Sequence, residues 1–257
     1  PDSVNKTYNV KRSSFESDIK CSLEFKSTEN KTIHQPDGSP SDLIDKKLND
    51  MGALTLIKGM EDYFESKYRF AYEHSLSGLE FAYGIPGSAG GAAFMNAGAY
   101  GGEMKDVVVS VNHITDDGSI GRIDKENLEF GYRTSAYRKN NCIITGITLK
   151  LKSDNPDDIR HRMDDFMSRR IDKQPLEFPS AGSVFKRPEG NYAGALIDQC
   201  GFKGKGVGGA EVSEKHAGFI INKSNATAKD VKELISQIQT TVKKETGYDL
   251  ECELIML

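Results

Sequence analysis

The chain has 257 residues, 34 Lys plus Arg against 38 Asp plus Glu, and four cysteines at 21, 142, 200 and 252 with no close pair. That length buries one large domain or two to three small ones, and a net charge of −4 speaks against a nucleic-acid binder. Scattered cysteines read as reduced and cytosolic, five dispersed histidines argue against a metal site, and no apolar run nears the roughly 20 residues that span a bilayer.

The first 75 residues are polar and weakly patterned. Ile19, Cys21, Leu23 and Phe25 alternate as in a half-buried strand, and Pro36-Asp37-Gly38-Ser39-Pro40 reads as a loop. Leu43, Ile44, Leu48 and Met51 follow helical spacing, as do Met60, Tyr63, Phe64, Tyr68 and Tyr72. From 84 to 103, seven of twenty residues are glycine and Glu103 is the single charge. The stretch is too apolar for a surface linker and too rich in glycine for a regular helix or strand. It predicts either tight turns packed on a neighbouring element, or backbone that lies close to something flat or phosphorylated and donates main-chain N–H groups. It is neither a strand–turn–helix dinucleotide fingerprint nor a phosphate loop ending in Gly-Lys-Ser/Thr.

Strands follow. Val107, Val109 and Val111 alternate, Asp117-Gly118 supplies a turn, and residues 120–123 return as a hairpin. Ile143, Thr145, Ile147, Leu149 and Leu151 make another period-two face. Asn155-Pro156-Asp157-Asp158 predicts a helix start, with Ile159, Met163, Phe166, Met167 and Ile171 along one face and a domain boundary near 153–156. Thr227 with Asp230 opens a further helix whose buried stripe is Val231, Leu234, Ile235, Ile238 and Val242 and whose stop is Gly247. Residues 248–255 alternate as a closing strand. Strands and helices do not alternate regularly, so the class is α+β.

Three further segments carry chemistry. Residues 178–188 present Ser183 beside Lys186 and Arg187. Either Ser183 closes a turn and the cations are solvated, or the serine gives a proton to a developing carbanion; no His–Asp pair supports a nucleophile. Arg133, in the loop 130–135, is by itself a common surface charge. With Arg169, Arg170, Lys173 and Lys186 it also suits an anionic substrate or a developing enolate. Residues 206–222 read as a glycine loop, a polar turn and a buried strand. By alternation Glu253 shares the solvent side with Asp249 and Glu251.

Together these segments resemble the UDP-N-acetylenolpyruvoylglucosamine reductase family from about Ser77 to the C-terminus. Gly78-Leu79-Glu80-Phe81, the glycine segment, Tyr132-Arg133-Thr134-Ser135, Lys173-Gln174-Pro175-Leu176, Gly182-Ser183-Val184-Phe185 and Val212-Ser213-Glu214-Lys215-His216-Ala217 stand in the family's order and spacing. The adjoining Lys186-Arg187-Pro188 resembles the shorter, Gram-positive-type subgroup.

The resemblance implies an FAD-binding two-subdomain fold of the vanillyl-alcohol-oxidase/PCMH type. Its reduced first subdomain would be residues 1–75, its second 76–153, and a C-terminal α+β substrate-binding domain would be 154–257. It implies a bacterial cytoplasmic flavoprotein oxidoreductase of peptidoglycan-precursor synthesis. NADPH would reduce FAD, and a hydride would pass to UDP-N-acetylglucosamine enolpyruvate to give UDP-N-acetylmuramate. Ser183 would be the proton donor, with Arg133 and Glu253 stabilising the enolate. Gly84, Ile85, Pro86, Gly87, Ser88, Gly90, Gly91, Asn96, Gly98, Ala99, Tyr100 and Gly101 would contact FAD. Arg170, Lys173, Lys186, Arg187 and His216 would bind substrate or NADPH. No metal, nucleic acid or membrane is implied.

The family's Thr-Gly-Gly and Gly-Asn-Gly-Ser-Asn segments do not occur in this sequence, so the FAD pyrophosphate lacks its usual cradle. The alternative is a non-catalytic descendant that binds a sugar nucleotide or a protein partner through its C-terminal domain.

Overall fold

The computed structural model describes residues 64–255 and, ahead of them, the backbone of four strands: β1 (Tyr8–Val10), β2 (Cys21–Lys26), β3 (Thr32–Ile33) and β4 (Leu54–Ile57). β2 falls on the alternation at Cys21, Leu23 and Phe25. The loop expected at 36–40, the spacing at 43–51, and Ile19, Met60 and Tyr63 lie outside the described residues. The chain divides into two compact units, residues 1–167 and 168–257.

In the first unit, helix α1 (Phe64–Glu73) buries Tyr68 and Ala71 and leads to β5 (Leu76–Ser77). The glycine segment contains helix α2 (Ala89–Phe94) and a hairpin of β6 (Gly98–Ala99) and β7 (Gly102–Glu103), followed by a turn of helix, α3 (Met104–Val107). β8 (Val108–Ile114) and β9 (Ile120–Asp124) form the expected hairpin, β10 (Ile143–Leu149) pairs with β8, and β11 (Lys152–Ser153) pairs with β5. The main sheet runs β1-β2-β4-β10-β8-β9, with β3 beside β2, antiparallel throughout.

Two bulges in the β8–β10 ladder displace the alternation read from the sequence. Thr145 is an extra residue between the pairs Ile144–His113 and Gly146–Asn112, and Val109 is an extra residue between Thr148–Ser110 and Leu149–Val108. Each turns the side chains that follow to the other face. Ile143 is therefore 65% exposed, while Val108, Val111, Ile147 and Leu149 are buried. Val109 and Thr145 are half-buried, and Val107 closes α3 rather than joining the strand. Leu79, Met104, Leu128, Tyr137 and Leu151 complete the core.

Helix α4 (Pro156–Lys173) starts where expected, with Asn155 Oδ1 accepting from Asp157 N at 2.9 Å. Its first turns bury Ile159 and Met163 in the first unit's core. The division between the units therefore falls inside the helix, after Met167, rather than near 153–156. Ile171, expected on its buried stripe, is exposed.

The second unit builds an antiparallel sheet from β12 (Ser180–Ser183), β13 (Gly206–Val207), β14 (Ala210–Val212) and β15 (Phe219–Asn222), in the order β12-β15-β14-β13. Helices α5 (Ala193–Gln199) and α6 (Ala228–Thr246) pack on each other, and α6 also packs on β13 and β14. Thr227 and Asp230 cap α6 reciprocally, and Gly247 ends it at φ +79. Leu234, Ile235, Ile238 and Val242 are buried, with Val231 partly so.

Residues 248–255 do not form the expected strand. Cys252 makes an isolated bridge to Phe185, flanked by bonds from Lys186 N to Glu251 O and from Glu253 N to Val184 O. The next donor along the 184–188 segment would be Pro188, which has no N–H, so the ladder stops. No helix among the described residues is long and apolar enough to cross a membrane.

Candidate functional site

The glycine segment is helical over six residues, although its glycine content predicts no regular helix. Ser88 caps α2 by accepting from Gly91 N at 3.0 Å, and Ala89, Gly90, Ala92 and Ala93 are buried. Packing of that small-residue face offsets the ~1 kcal/mol each glycine costs a helix. Beyond α2, Tyr100 (φ +52) and Gly101 (φ +88) make the two-residue turn between β6 and β7, the left-handed pair of a type I′ hairpin. Gly102 lies so near the core that a Cβ there would stand 2.8 Å from Cβ, Cγ and Cδ1 of Phe81.

Arg133 sits in a loop closed by main-chain bonds from Gly131 N to Thr134 O (3.1 Å) and from Thr134 N to Gly131 O (3.4 Å). Side-chain bonds tie this loop to the glycine segment. Ser135 Oγ donates to Phe94 O (2.7 Å), Arg133 Nη2 donates to Gly98 O (3.3 Å), and Asn96 Nδ2 donates to Gly131 O (2.9 Å). The Asn96 amide also donates to Glu103 Oε2 (2.6 Å) and accepts from Lys105 N (2.9 Å). Lys105 Nζ in turn pairs with the same Glu103 oxygen at 3.1 Å.

Pro86, Gly87, Gly91 and Gly101 are exposed, and a Cβ added at Gly87 or Gly101 would meet nothing within 4 Å. The segment thus offers a neutral, open surface of backbone, its one carboxylate already engaged by Asn96 and Lys105. A planar uncharged heterocycle such as a flavin ring fits it in shape and charge. Beside the hairpin a cavity of ≈ 440 Å³ is lined by Gly78, Phe81, Tyr100, Gly101 and Phe166, with the Tyr100 and Phe166 rings stacked at 4.9 Å.

In the second unit, β12 presents Ser183 at the surface, its Oγ making a long contact to Phe185 O at 3.4 Å. Val184 N donates to Gly218 O, and Glu253 N donates to Val184 O at 2.7 Å. Glu253, expected on the solvent side, is half-buried. His216 Nδ1 accepts from Gly218 N at 3.0 Å, which assigns the ring proton to Nε2, and burial holds its pKa below the usual histidine value. A Cβ at Gly218 would lie 2.9 Å from His216 Cε1 and 3.6 Å from Ser183 Oγ, so both side chains flank that glycine. Lys186 pairs with Glu251, and Arg187 lies over the Tyr192 ring at 4.4 Å. On the last turn of α4, Arg170 is buried and Lys173 exposed.

The first unit therefore holds the expected flavin contacts together with Arg133, and the second gathers Ser183, His216, Lys186 and Glu253 around β12. Ser135 and the buried Glu80 stand inside motifs quoted from the sequence, which assigns neither of them a role. Glu80 accepts from Arg162 Nη2 (2.8 Å) and Gly78 N (2.7 Å), while Arg162 also reaches Asp154 (2.5 Å) and lowers the pKa of that carboxyl. Partners 82 residues apart leave no local signal.

Residues 174–257 match the family model of the UDP-N-acetylenolpyruvoylglucosamine reductase C-terminal domain, and residues 68–124 match that of an FAD binding domain. UDP-N-acetylenolpyruvoylglucosamine reductases of Syntrophomonas wolfei and Geobacillus kaustophilus are 53% and 54% identical over 184 and 186 residues. Each alignment covers 72% of this chain, and 62% and 61% of the relatives, so the chain spans about three-fifths of their length. The crystal structure of the Thermus caldophilus reductase (MurB) shares the fold with a TM-score of 0.69 at 40% identity, covering 77% of this chain and 70% of that one.

Proposed function

The chain belongs to the UDP-N-acetylenolpyruvoylglucosamine reductase family, and from that premise we propose that it is a bacterial cytoplasmic flavoprotein that reduces UDP-N-acetylglucosamine enolpyruvate to UDP-N-acetylmuramate with NADPH, for peptidoglycan synthesis. The observation that carries this reading is the loop of Arg133 bound onto an open, uncharged backbone surface of glycines. Residues 84–88, Gly90, Gly91 and residues 98–101 would hold the flavin ring. Bound FAD would supply the hydride, taken from NADPH and given to the enolpyruvyl double bond.

Hydride addition leaves negative charge on the carbon beside the substrate carboxylate. The Arg133 guanidinium stabilises that charge, and Glu253 is the second group assigned to it. Ser183 Oγ then gives its proton to the same carbon, so one hydride and one proton add across the bond. Its hydroxyl is weakly held, the Phe185 carbonyl being 3.4 Å away. Arg170, Lys173, Lys186, Arg187 and neutral His216 bind the phosphates and carboxylate of the two anionic substrates.

A second reading, a sugar-nucleotide binder without catalysis, is favoured by the missing pyrophosphate segments. Joint presence of Arg133, Ser183 and Glu253 favours the reductase, because a binding module has no use for a proton donor. Incubation with FAD, gel filtration and an absorption spectrum separate them. The reductase takes up the yellow cofactor, bleaches under NADPH and recolours on addition of the enolpyruvyl substrate. A chain that stays colourless in excess FAD is not this reductase.

A further inference from the structure

Asn96 stands among the expected flavin contacts, yet it is 0% exposed and every polar atom of its side chain is bonded within the protein. A contact from this residue to a bound ring would have to come from its main chain. We infer that Asn96 is a positioning residue: its amide fixes the loop 130–135, and with it the Arg133 guanidinium, against the glycine segment.

Arg133 has φ +55, a left-handed conformation that is strained for a residue with a Cβ. Within its own loop the Gly131–Thr134 main-chain pair and a cation–π contact to Tyr132 at 5.1 Å act on it. A further restraint comes from outside the loop: the Asn96 bond to Gly131 O spans 35 residues of sequence.

Asparagine is the side chain this position requires. It tolerates the left-handed φ of +48 found there. Its two amide protons reach one carboxylate and one carbonyl, while its oxygen takes the Lys105 N–H. Aspartate offers no donors, and glutamine is one methylene too long. The Glu103 carboxylate polarises the amide through a charge-assisted bond of 2.6 Å, and Lys105 holds that carboxylate in place. A continuous chain thus runs from Lys105 through Glu103 and Asn96 to the Arg133 loop. Its consequence for catalysis rests on the reading of Arg133 as the group that stabilises the enolate.

Asn96→Asp keeps the size, the backbone tolerance and the acceptor for Lys105 N, but turns an oxygen toward Glu103 and Gly131 O. The first measurement is hydrogen exchange on the full chain without flavin. Protection of the Thr134 amide is expected to fall about tenfold while the amides of α6 are unchanged. The second is stopped-flow kinetics with FAD bound. Bleaching by NADPH should stay near wild type, and recolouring by the enolpyruvyl substrate should slow about ten- to a hundredfold with KM little changed. Asn96→Asp combined with Arg133→Ala should be no slower than Arg133→Ala alone. A merely structural role would instead lower flavin content and the unfolding midpoint, and add to the Arg133→Ala loss.

Unchanged protection at Thr134 overturns the proposal. So does normal recolouring in Asn96→Asp beside a slow Arg133→Ala, and both results leave the reductase reading standing. Normal recolouring in Arg133→Ala defeats the Arg133 reading itself, and the proposal with it. In a chain that takes up no flavin the reductase reading fails, and the exchange result alone decides the positioning claim. Should Asn96→Asp not fold, Asn96→Gly accepts φ +48, removes the amide and carries the same measurements.

Discussion

The two units hold their proposed reacting groups by different devices. In the first, Arg133 is fixed through side chains: Asn96 on Gly131 O, Ser135 on Phe94 O, and its own guanidinium on Gly98 O. In the second, Ser183 and Glu253 are set by main-chain bonds among Val184, Gly218 and Glu253, with Lys186 N on Glu251 O beside them. A side-chain tie opens with one substitution, whereas a main-chain ladder survives most replacements short of proline. Placement of Arg133 therefore depends on the identity of a few residues, and placement of Ser183 on the integrity of a sheet.

The largest effect should come from removing a reacting group while its ladder is left alone. Ser183→Ala is expected to slow recolouring of reduced flavin by the enolpyruvyl substrate about 10²–10⁴-fold, with bleaching by NADPH unchanged, in single-turnover kinetics. Two normal phases would assign the proton to another group. Val184→Ala attacks the packing beside it instead. This buried side chain should take about 2 kcal/mol from stability in urea unfolding, with the recolouring rate of folded protein close to wild type. A rate loss beyond about tenfold would show that packing, and not the ladder, sets Ser183.

Ser135→Ala tests the other device. It leaves the Phe94 carbonyl without its donor at a buried site and should cost about 1–2 kcal/mol, with faster exchange at Thr134 and none at Val184. Equal exchange at both amides would erase the contrast between the units.

The smallest effect is in pH. The pKa of His216 in the folded chain lies below the unfolded value of 6.5, chiefly through burial, so below that pH the unfolded state binds more protons. The stability this neutral ring contributes is present above 6.5 and is lost as pH falls through that value toward the folded pKa. Urea midpoints should drop between about pH 7.5 and 5.5, and His216→Gln should flatten part of that slope. An identical slope in the variant would place the titrating group elsewhere.

Features written into neighbouring residues were legible in the sequence. Thr227 with Asp230, Gly247, and Asn155 ahead of Pro156 act within one helical turn, and each does in the structure what its chemistry predicts. Features that depend on a distant partner were not. α2 is helical because its small face is buried, and the pairing of residues 248–255 stops at a proline on another segment. Asn96 lies inside a recognisable motif, but its link to Gly131 crosses 35 residues and carries no periodic signal.

The extra residues at Thr145 and Val109 stand on opposite strands, so the register that slips by one at the first slips back at the second. Between them lie three pairs, and the buried Ser110 and Thr148 hydroxyls, opposite each other and without a hydrogen-bond partner, are one of these. In hereditary terms the two bulges are an insertion and its suppressor. Deleting either residue alone throws one end of the β8–β10 ladder out of frame and turns its core side chains to the opposite face of the sheet. Deleting both restores the frame and disturbs only the short window between them, so the bulged and unbulged sheets are joined by a two-step path whose costly point is its middle.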